Sequence, residues 1–275
     1  MNLKNDIKAF LFDVDGTLIN REGKMSENTY NALNILKKKG YKLGINSGRP
    51  IFSSQTALSA NKADKLFDWY YGANGIEFYD VLNDKKTYVA MLEKNVMKDL
   101  DNFLKDEKYL SLAFYEDDKY LVINHYPEDL NKLDEWCKIR YVLPKLADFQ
   151  NINKIVPKMI IVFDDEKTDD LIKKLSTIND ERIDIFFSGI DVLEVVPKGL
   201  NKGVSVDEFS KLLNINQKEI MTFGDAENDV PALEKGTGVA LGEKINFDKH
   251  QIAYKSLSVD EDGLYIFLKN SGLLD

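Results

Sequence analysis

Cysteine is almost missing from this chain of 275 residues: Cys137 stands alone, and histidine occurs only at His125 and His250. One thiol rules out a disulfide framework, and so few sulfur and imidazole donors rule out Cys-rich zinc sites and His-clustered metal centres. Any metal must therefore be held by oxygen. Long apolar runs are missing too. No stretch approaches the ~18 residues of a membrane span, and Met1-Asn2-Leu3-Lys4-Asn5-Asp6 carries acid and amide groups where a signal peptide needs an apolar core. A cytoplasmic enzyme or binding protein is expected, with no membrane partner. Positive charge is in deficit, 37 Lys and Arg against 46 Asp and Glu, for a formal net charge of −9. Such a polyanion repels phosphodiester backbones unless a basic stripe intervenes. Lys37-Lys38-Lys39 and Lys173-Lys174 read instead as solvated helix ends, so no nucleic-acid partner is expected.

What is present suits a folded protein: hydrophobic residues make up 44% and charged residues 30%, far from the composition of disordered chains. The length allows one large or two medium domains able to bury a core without staples. Ile7 to Phe12 is a nearly continuous apolar run ending at Asp13, as in a strand buried on both faces of a parallel sheet. Ser26 can cap a helix over 27–39, with Tyr30, Leu33 and Leu36 on one face and Gly40 just past its end. A second strand over 41–46 runs straight into Ser47-Gly48-Arg49-Pro50. Polar clusters at the C-terminal ends of successive strands are the plan of an open α/β fold that binds ligands at its carboxyl edge.

A third strand is expected over 67–71, before the turn Ala73-Asn74-Gly75. The texture then changes. Strands are expected over 110–115, 119–125, 159–163, 183–187 and 192–196, with helices over 95–104, 128–139 and 168–175. Two helix-plus-hairpin units of similar order imply an α+β domain with an antiparallel sheet, inserted as residues 81–195 between the parts 1–80 and 196–275 of an α/β core. The α/β texture returns with a helix over 202–213, strands over 220–223, 238–240 and 252–254, and a helix over 259–270.

Asp13-Val14-Asp15-Gly16-Thr17 follows the first strand, where side chains two apart point to one side of an extended backbone. Two unit charges ~4 Å apart repel by roughly 4 kcal/mol at an effective dielectric near 20, so either a cation lies between the carboxylates or one keeps its proton. Gly16 allows a sharp turn, and Thr17 could tie the loop through its hydroxyl. An acidic turn closing a strand is the plainer alternative. Ser47, the Gly48 amide and Arg49 form an anion-binding set, although Ser-Gly is also a common turn. Gly224-Asp225 with Asn228 and Asp229 places more acids at a strand end, as ligands or as dipole-matched helix caps. Mg²⁺ typically takes one or two protein carboxylates plus substrate phosphate, and Asp13 with Asp225 meets that need. Lys202 sits at a helix start, against the dipole, and so answers an anion there or is ordinary surface charge.

These four elements, in this order and over the whole chain, resemble the haloacid dehalogenase superfamily of phosphatases. The insertion after the second element, and the Asn74-Gly75 turn before it, are similar to the Cof-type sugar-phosphatase branch with its large α/β cap. One departure is Ser47, where many relatives carry threonine. The resemblance implies a Rossmann-like parallel-sheet core with an inserted α+β cap domain, an essential Mg²⁺ and an aspartyl-phosphate intermediate. It implies Asp13 as nucleophile and Asp15 as acid and then base, its backbone carbonyl joining Asp13 and Asp225 on the metal. Ser47, Gly48 and Lys202 would bind the phosphoryl group, with Thr17 and Arg49 supporting the site. Asn228 and Asp229 would hold metal-bound water or orient Lys202. A small phosphorylated metabolite is the expected partner of a monomer or weak homodimer. A phosphomutase or phosphotransferase, or a non-catalytic phospho-ligand sensor, remains the alternative. His125 and His250 fall outside the clusters and read as surface or helix-end residues; Cys137 reads as a packing residue, and Phe186 and Phe187 as cap core ahead of a lining for the substrate side of the cap.

Overall fold

The computed structural model describes residues 3, 6–106, 110–126, 130–163, 173–175, 177–178, 180–187 and 192–275. In chain order it opens with β1 (Ala9–Phe12), α1 (Glu27–Lys38), β2 (Lys42–Asn46), α2 (Ile51–Ala60), β3 (Trp69–Gly72), β4 (Glu77–Asp80) and β5 (Lys85–Tyr88). Then come α3 (Lys94–Leu104), β6 (Leu110–Glu116), β7 (Tyr120–Ile123), α4 (Leu130–Arg140), β8 (Leu143–Leu146), β9 (Met159–Phe163), β10 (Ile183–Phe187) and β11 (Val192–Pro197). The last described elements are α5 (Gly203–Leu213), β12 (Ile220–Gly224), α6 (Val230–Lys235), β13 (Thr237–Leu241), β14 (Tyr254–Ser256) and α7 (Gly263–Asn270). Two compact units result, Met1–Thr87 with Asn201–Asp275, and Tyr88–Leu200.

The first unit is a Rossmann-like α/β fold. Its sheet runs in the order β14-β13-β12-β1-β2-β3-β4-β5. Strands β14 to β3 of that order are parallel, and β4 returns antiparallel to β3. All of β1 is buried because its alternate side chains enter different cores. Phe10 and Phe12 join Leu33 and Leu36 of α1 and Leu264 and Phe267 of α7, whereas Ala9 and Leu11 meet Val206 and Phe209 of α5. The Ser26 hydroxyl accepts from the Thr29 amide at 3.1 Å and so caps α1 as the sequence implies.

Helix α2 has no counterpart in the sequence reading. It is buried partly through Ser53 and Ser54, so it carries no apolar stripe of helical period. The turn expected at Ala73-Asn74-Gly75 is present, with Asn74 (φ 61°) and Gly75 (φ 88°) turning the chain back on β3 as β4, a strand the sequence had not delimited. The helix expected over 259–270 is broken at Asp262 (φ 58°), leaving a 3₁₀ turn Val259–Glu261 before α7. The last strand lies at Tyr254–Ser256 rather than 252–254.

The second unit carries a six-stranded sheet, β10-β11-β9-β6-β7-β8. The expectation of an antiparallel sheet needs one correction: β7 and β8 pair parallel, because α4 crosses over between them. The other described pairings are antiparallel. Leu112, Phe114, Ile161, Leu193 and Val195 pack with Val96, Met97, Leu100 and Leu104 of α3. Cys137 is buried in α4, where desolvation pushes its thiol up to about 11. Of the helix expected over 168–175, residues 168–172 lie outside the described residues, as do 128–129 of the one expected over 128–139 and the side chain of Phe187. No helix among the described residues is long and apolar enough to cross a membrane.

Candidate active site

The carboxyl ends of β1, β2 and β12, neighbours in the sheet, bring the sequence clusters together. Asp13 follows β1, Ser47 follows β2, and Asp225 follows β12; Lys202 stands at the start of α5 and Asp229 at the start of α6. Lys202 Nζ donates to Asp13 Oδ1 at 2.7 Å and to Asp229 Oδ1 at 2.5 Å. The other Asp229 oxygen accepts from the Asp225 and Ala226 amides, both at 3.1 Å, which closes the acidic loop on itself. One oxygen each of Asp13, Asp225 and Asp229 lies within 4.8 Å of the others. All three aspartates and Lys202 are 5% exposed or less.

Burial dominates the electrostatics. Desolvation pushes Asp13 well above the usual carboxylate range; Lys202 opposes that, while Asp229, Asp225 and Asp15 add to it. Asp225 is raised for the same first reason, with Asp229 next and Lys244 and Lys202 opposing. Burial alone would lower Lys202, but Asp13 and Asp229 together outweigh it and hold the ammonium charged. Three buried carboxylates facing one buried ammonium leave negative charge in a dry place, and all donors are oxygens. That donor set fits a hard dication such as Mg²⁺.

Around this cluster the expectations are redistributed. Arg49 is not open to an anion: its Nε and Nη2 grip Asp15 Oδ2 and Oδ1 at 2.6 and 2.7 Å, while Nη1 donates to Ser53 Oγ at 3.1 Å. The Asp15 carboxylate thus turns toward Arg49, apart from the cluster of Asp13, Asp225 and Asp229. Thr17 is buried, but its hydroxyl makes no hydrogen bond among the described residues. Backbone bonds tie the loop instead, from Gly16 N to Ile19 O (2.8 Å) and from Leu18 N to Val14 O (2.9 Å). Ser47 Oγ accepts from the Arg49 amide at 3.2 Å, and Gly48 lies between them, half-buried. Asn228 is half-buried in the 3₁₀ turn Glu227–Asp229.

Three features had escaped the sequence reading. Asn46 donates to the Lys202 carbonyl (3.0 Å) and accepts from Ser205 Oγ (2.7 Å), fixing the backbone from which Lys202 reaches the acids. An amide closing the buried run Leu43-Gly44-Ile45 was the available signal. Lys244, after β13, donates to Asp225 Oδ2, and nothing local marked it. His250, placed outside the clusters by its sequence position, lies with Nε2 3.3 Å from Glu227 Oε2, beside the acidic loop.

Gly16 has φ +77°, and a Cβ there would fall 2.2 Å from Asp225 Oδ2. Gly16→Ala is therefore expected to displace the Asp225 carboxylate and lower turnover by about 10²-fold, the usual effect of a misplacement near 1 Å. Steady-state rates beside a thermal melt check this; full activity would contradict the close approach.

The raised Asp13 also fixes a pH dependence. Its folded state holds the proton more tightly than the unfolded chain. Its contribution to stability is therefore complete below the ordinary value of 3.8 and is lost as pH rises through the folded value. Without divalent cation, wild type should lose stability relative to Asp13→Asn as pH climbs from there toward neutrality, and Mg²⁺ should reduce the gap. Denaturant unfolding across that range, in EDTA and in Mg²⁺, measures it. A gap that shrinks with pH in EDTA would overturn the assignment.

A family model described as haloacid dehalogenase-like hydrolase matches residues 10–268. The chain is 29% identical over 263 residues to 5-amino-6-(5-phospho-D-ribitylamino)uracil phosphatase YitU of Bacillus subtilis, with 94% of each chain covered. It is 28% identical over 232 residues to the HMP-PP phosphatase of Cronobacter sakazakii, covering 84% of this chain and 82% of the relative. Among solved structures, the HAD subclass IIB sugar phosphatase BT4131 superposes with a TM-score of 0.81 at 25% identity, covering 97% of this chain and 99% of that one.

Proposed function

We propose, from the premise that this chain belongs to the haloacid dehalogenase-like hydrolases, that it is a Mg²⁺-dependent phosphatase working through an aspartyl phosphate on Asp13. Its substrates on this reading are small phosphomonoesters, sugar phosphates first. The observation that carries the reading is the buried cluster in which Lys202 bridges Asp13 and Asp229 with an Asp225 oxygen in reach. A lysine so placed steadies an anionic nucleophile and offsets the charge of an arriving phosphate dianion.

An Asp13 oxygen attacks phosphorus in line; the bond from phosphorus to the ester oxygen breaks, and the carboxylate becomes an acyl phosphate. Asp15 gives its proton to the departing alkoxide. For this step the Asp15 carboxyl turns from Arg49, which holds both its oxygens in the structure, toward the leaving oxygen, and Arg49 is placed to pair again with the carboxylate once the proton is gone. Asp15, now a base, takes a proton from water as the water attacks the acyl phosphate, which releases inorganic phosphate and restores Asp13. Ser47 and the Gly48 amide hold phosphoryl oxygens. Asp13 and Asp225, with the Asp15 carbonyl, would hold Mg²⁺, which supplies charge neutralisation at the phosphoryl group. Asp229 keeps Lys202 aligned.

Every residue of this scheme lies in the first unit; the division into a core of 1–80 with 196–275 and an inserted cap of 81–195 is part of the proposal. So are a cytoplasmic setting and a monomer or weak homodimer. The names of the relatives support a phosphorylated metabolite as substrate: a phosphoribitylamino-uracil for one, HMP-PP for another, and a sugar phosphate for the structural neighbour. A phosphate-release screen of the purified protein over small phosphorylated metabolites, with Mg²⁺ and with EDTA, tests the reading. Mg²⁺-dependent release supports it. Phosphate passed to a second sugar without free phosphate would make the protein a phosphotransferase, and ligand binding without turnover a sensor.

A further inference from the structure

We propose that Lys244 sets the affinity of the acidic site for Mg²⁺, because it and the ion share one acceptor, the Asp225 carboxylate. The inference rests on the reading of Asp13 and Asp225 as the cation site and concerns how that site is regulated.

The three acids are not neutralised alike. Asp13 and Asp229 share Lys202, whose ammonium is buried and holds both at hydrogen-bond distance. Asp225 takes its cation from the opposite kind of residue: the Lys244 side chain is 60% exposed, while that of Asp225 is 7% exposed. Lys244 stands on the loop after β13, whose base is held by the Gly242 amide on the Ser256 carbonyl at 3.1 Å. Beside it opens a cavity of about 720 Å³ lined by Gly16, Arg21, Glu243, Ser258 and Asp225 itself. The ammonium can therefore leave Asp225 without disturbing the packed core.

A dication at Asp225 meets Lys244 in one of two ways. Either the ammonium stays, and like charges face each other across one carboxylate, or it swings into the cavity and gives up the ion pair. Both oppose the ion, so the lysine weakens Mg²⁺ binding. Because the lysine is exposed, the opposition is moderate and screened by salt. Lys202 does not act in this way, since its two acids hold it in the interior. The pair thus divides the work: Lys202 is the permanent counter-charge, and Lys244 an exchangeable one that keeps the acids satisfied and yields to the ion.

The test is Mg²⁺ alone, titrated calorimetrically into the full chain without substrate, for wild type, Lys244→Met, Lys244→Arg and Asp225→Asn. Lys244→Met is expected to bind Mg²⁺ about two- to fivefold more tightly than wild type at low salt, the range of a partly exposed charge pair. Lys244→Arg should stay near wild type, and the gap should close in about 0.5 M KCl. Equal or weaker binding by Lys244→Met, with wild type binding and Asp225→Asn not, would overturn the role of Lys244 and leave the site intact. No Mg²⁺ binding by any variant would overturn the cation site itself, and this proposal with it.

Discussion

Asp13→Asn is expected to lower phosphate release by on the order of 10⁴-fold or more, the scale on which nucleophile removal acts in covalent catalysis, while leaving the protein folded and more stable near neutral pH. The two halves have one cause. The amide keeps the shape of the carboxylate but has no anionic oxygen to attack phosphorus. It also removes a buried charge that burial and the neighbours Asp229, Asp225 and Asp15 disfavour more than Lys202 favours it. Activity loss by general damage would bring a lower melting temperature; loss of the nucleophile brings a higher one in EDTA. Rates on any turned-over phosphomonoester, beside thermal melts in EDTA, separate the two. Retained turnover would remove Asp13 from the mechanism.

Lys202→Met has the second largest expected effect, with the opposite sign on stability. Removing one partner of a buried ion pair costs about 3–5 kcal/mol, because the charge left behind is neither hydrated nor paired. Here two carboxylates, Asp13 and Asp229, lose the same ammonium. Turnover should fall by about 10²- to 10³-fold, the loss seen when a preorganised electrostatic group is removed from a reacting centre. Mg²⁺ should return part of the stability, since it too neutralises Asp13, and Asp13→Asn in the same chain should return more. Urea unfolding of the single and double variants in EDTA gives the coupling. If the two substitutions were additive, the ion pair would carry no weight in folding.

Some of this molecule was legible before any coordinates. Met159–Phe163 and Ile183–Phe187 form strands at the residues expected, because short stretches rich in branched and aromatic residues between polar turns suit little else. Helix α1 was readable from its capping serine and the spacing of Leu33 and Leu36. Helix α2 was not, since serines and alanines let it pack closely without announcing a face. The parallel pairing of β7 with β8 was hidden because hairpins and crossovers differ in which strand is reached next, and strand composition does not record that.

The chain by itself determined which chemistry was available: oxygen donors with almost no sulfur or imidazole, acids two apart at the end of an apolar strand, and a lysine where a helix dipole disfavours one. These are local properties, written in residue type and spacing. Tertiary structure decided who meets whom. Arg49 takes the Asp15 carboxylate rather than a bound phosphate, Asp229 joins Asp13 through Lys202, and Lys244 comes to Asp225 from a later loop. Such pairings turn on strand order and rotamers at the scale of one hydrogen bond, and the raised proton affinities turn on exclusion of water. Neither exists until the sheet has assembled, so no local pattern could have carried them.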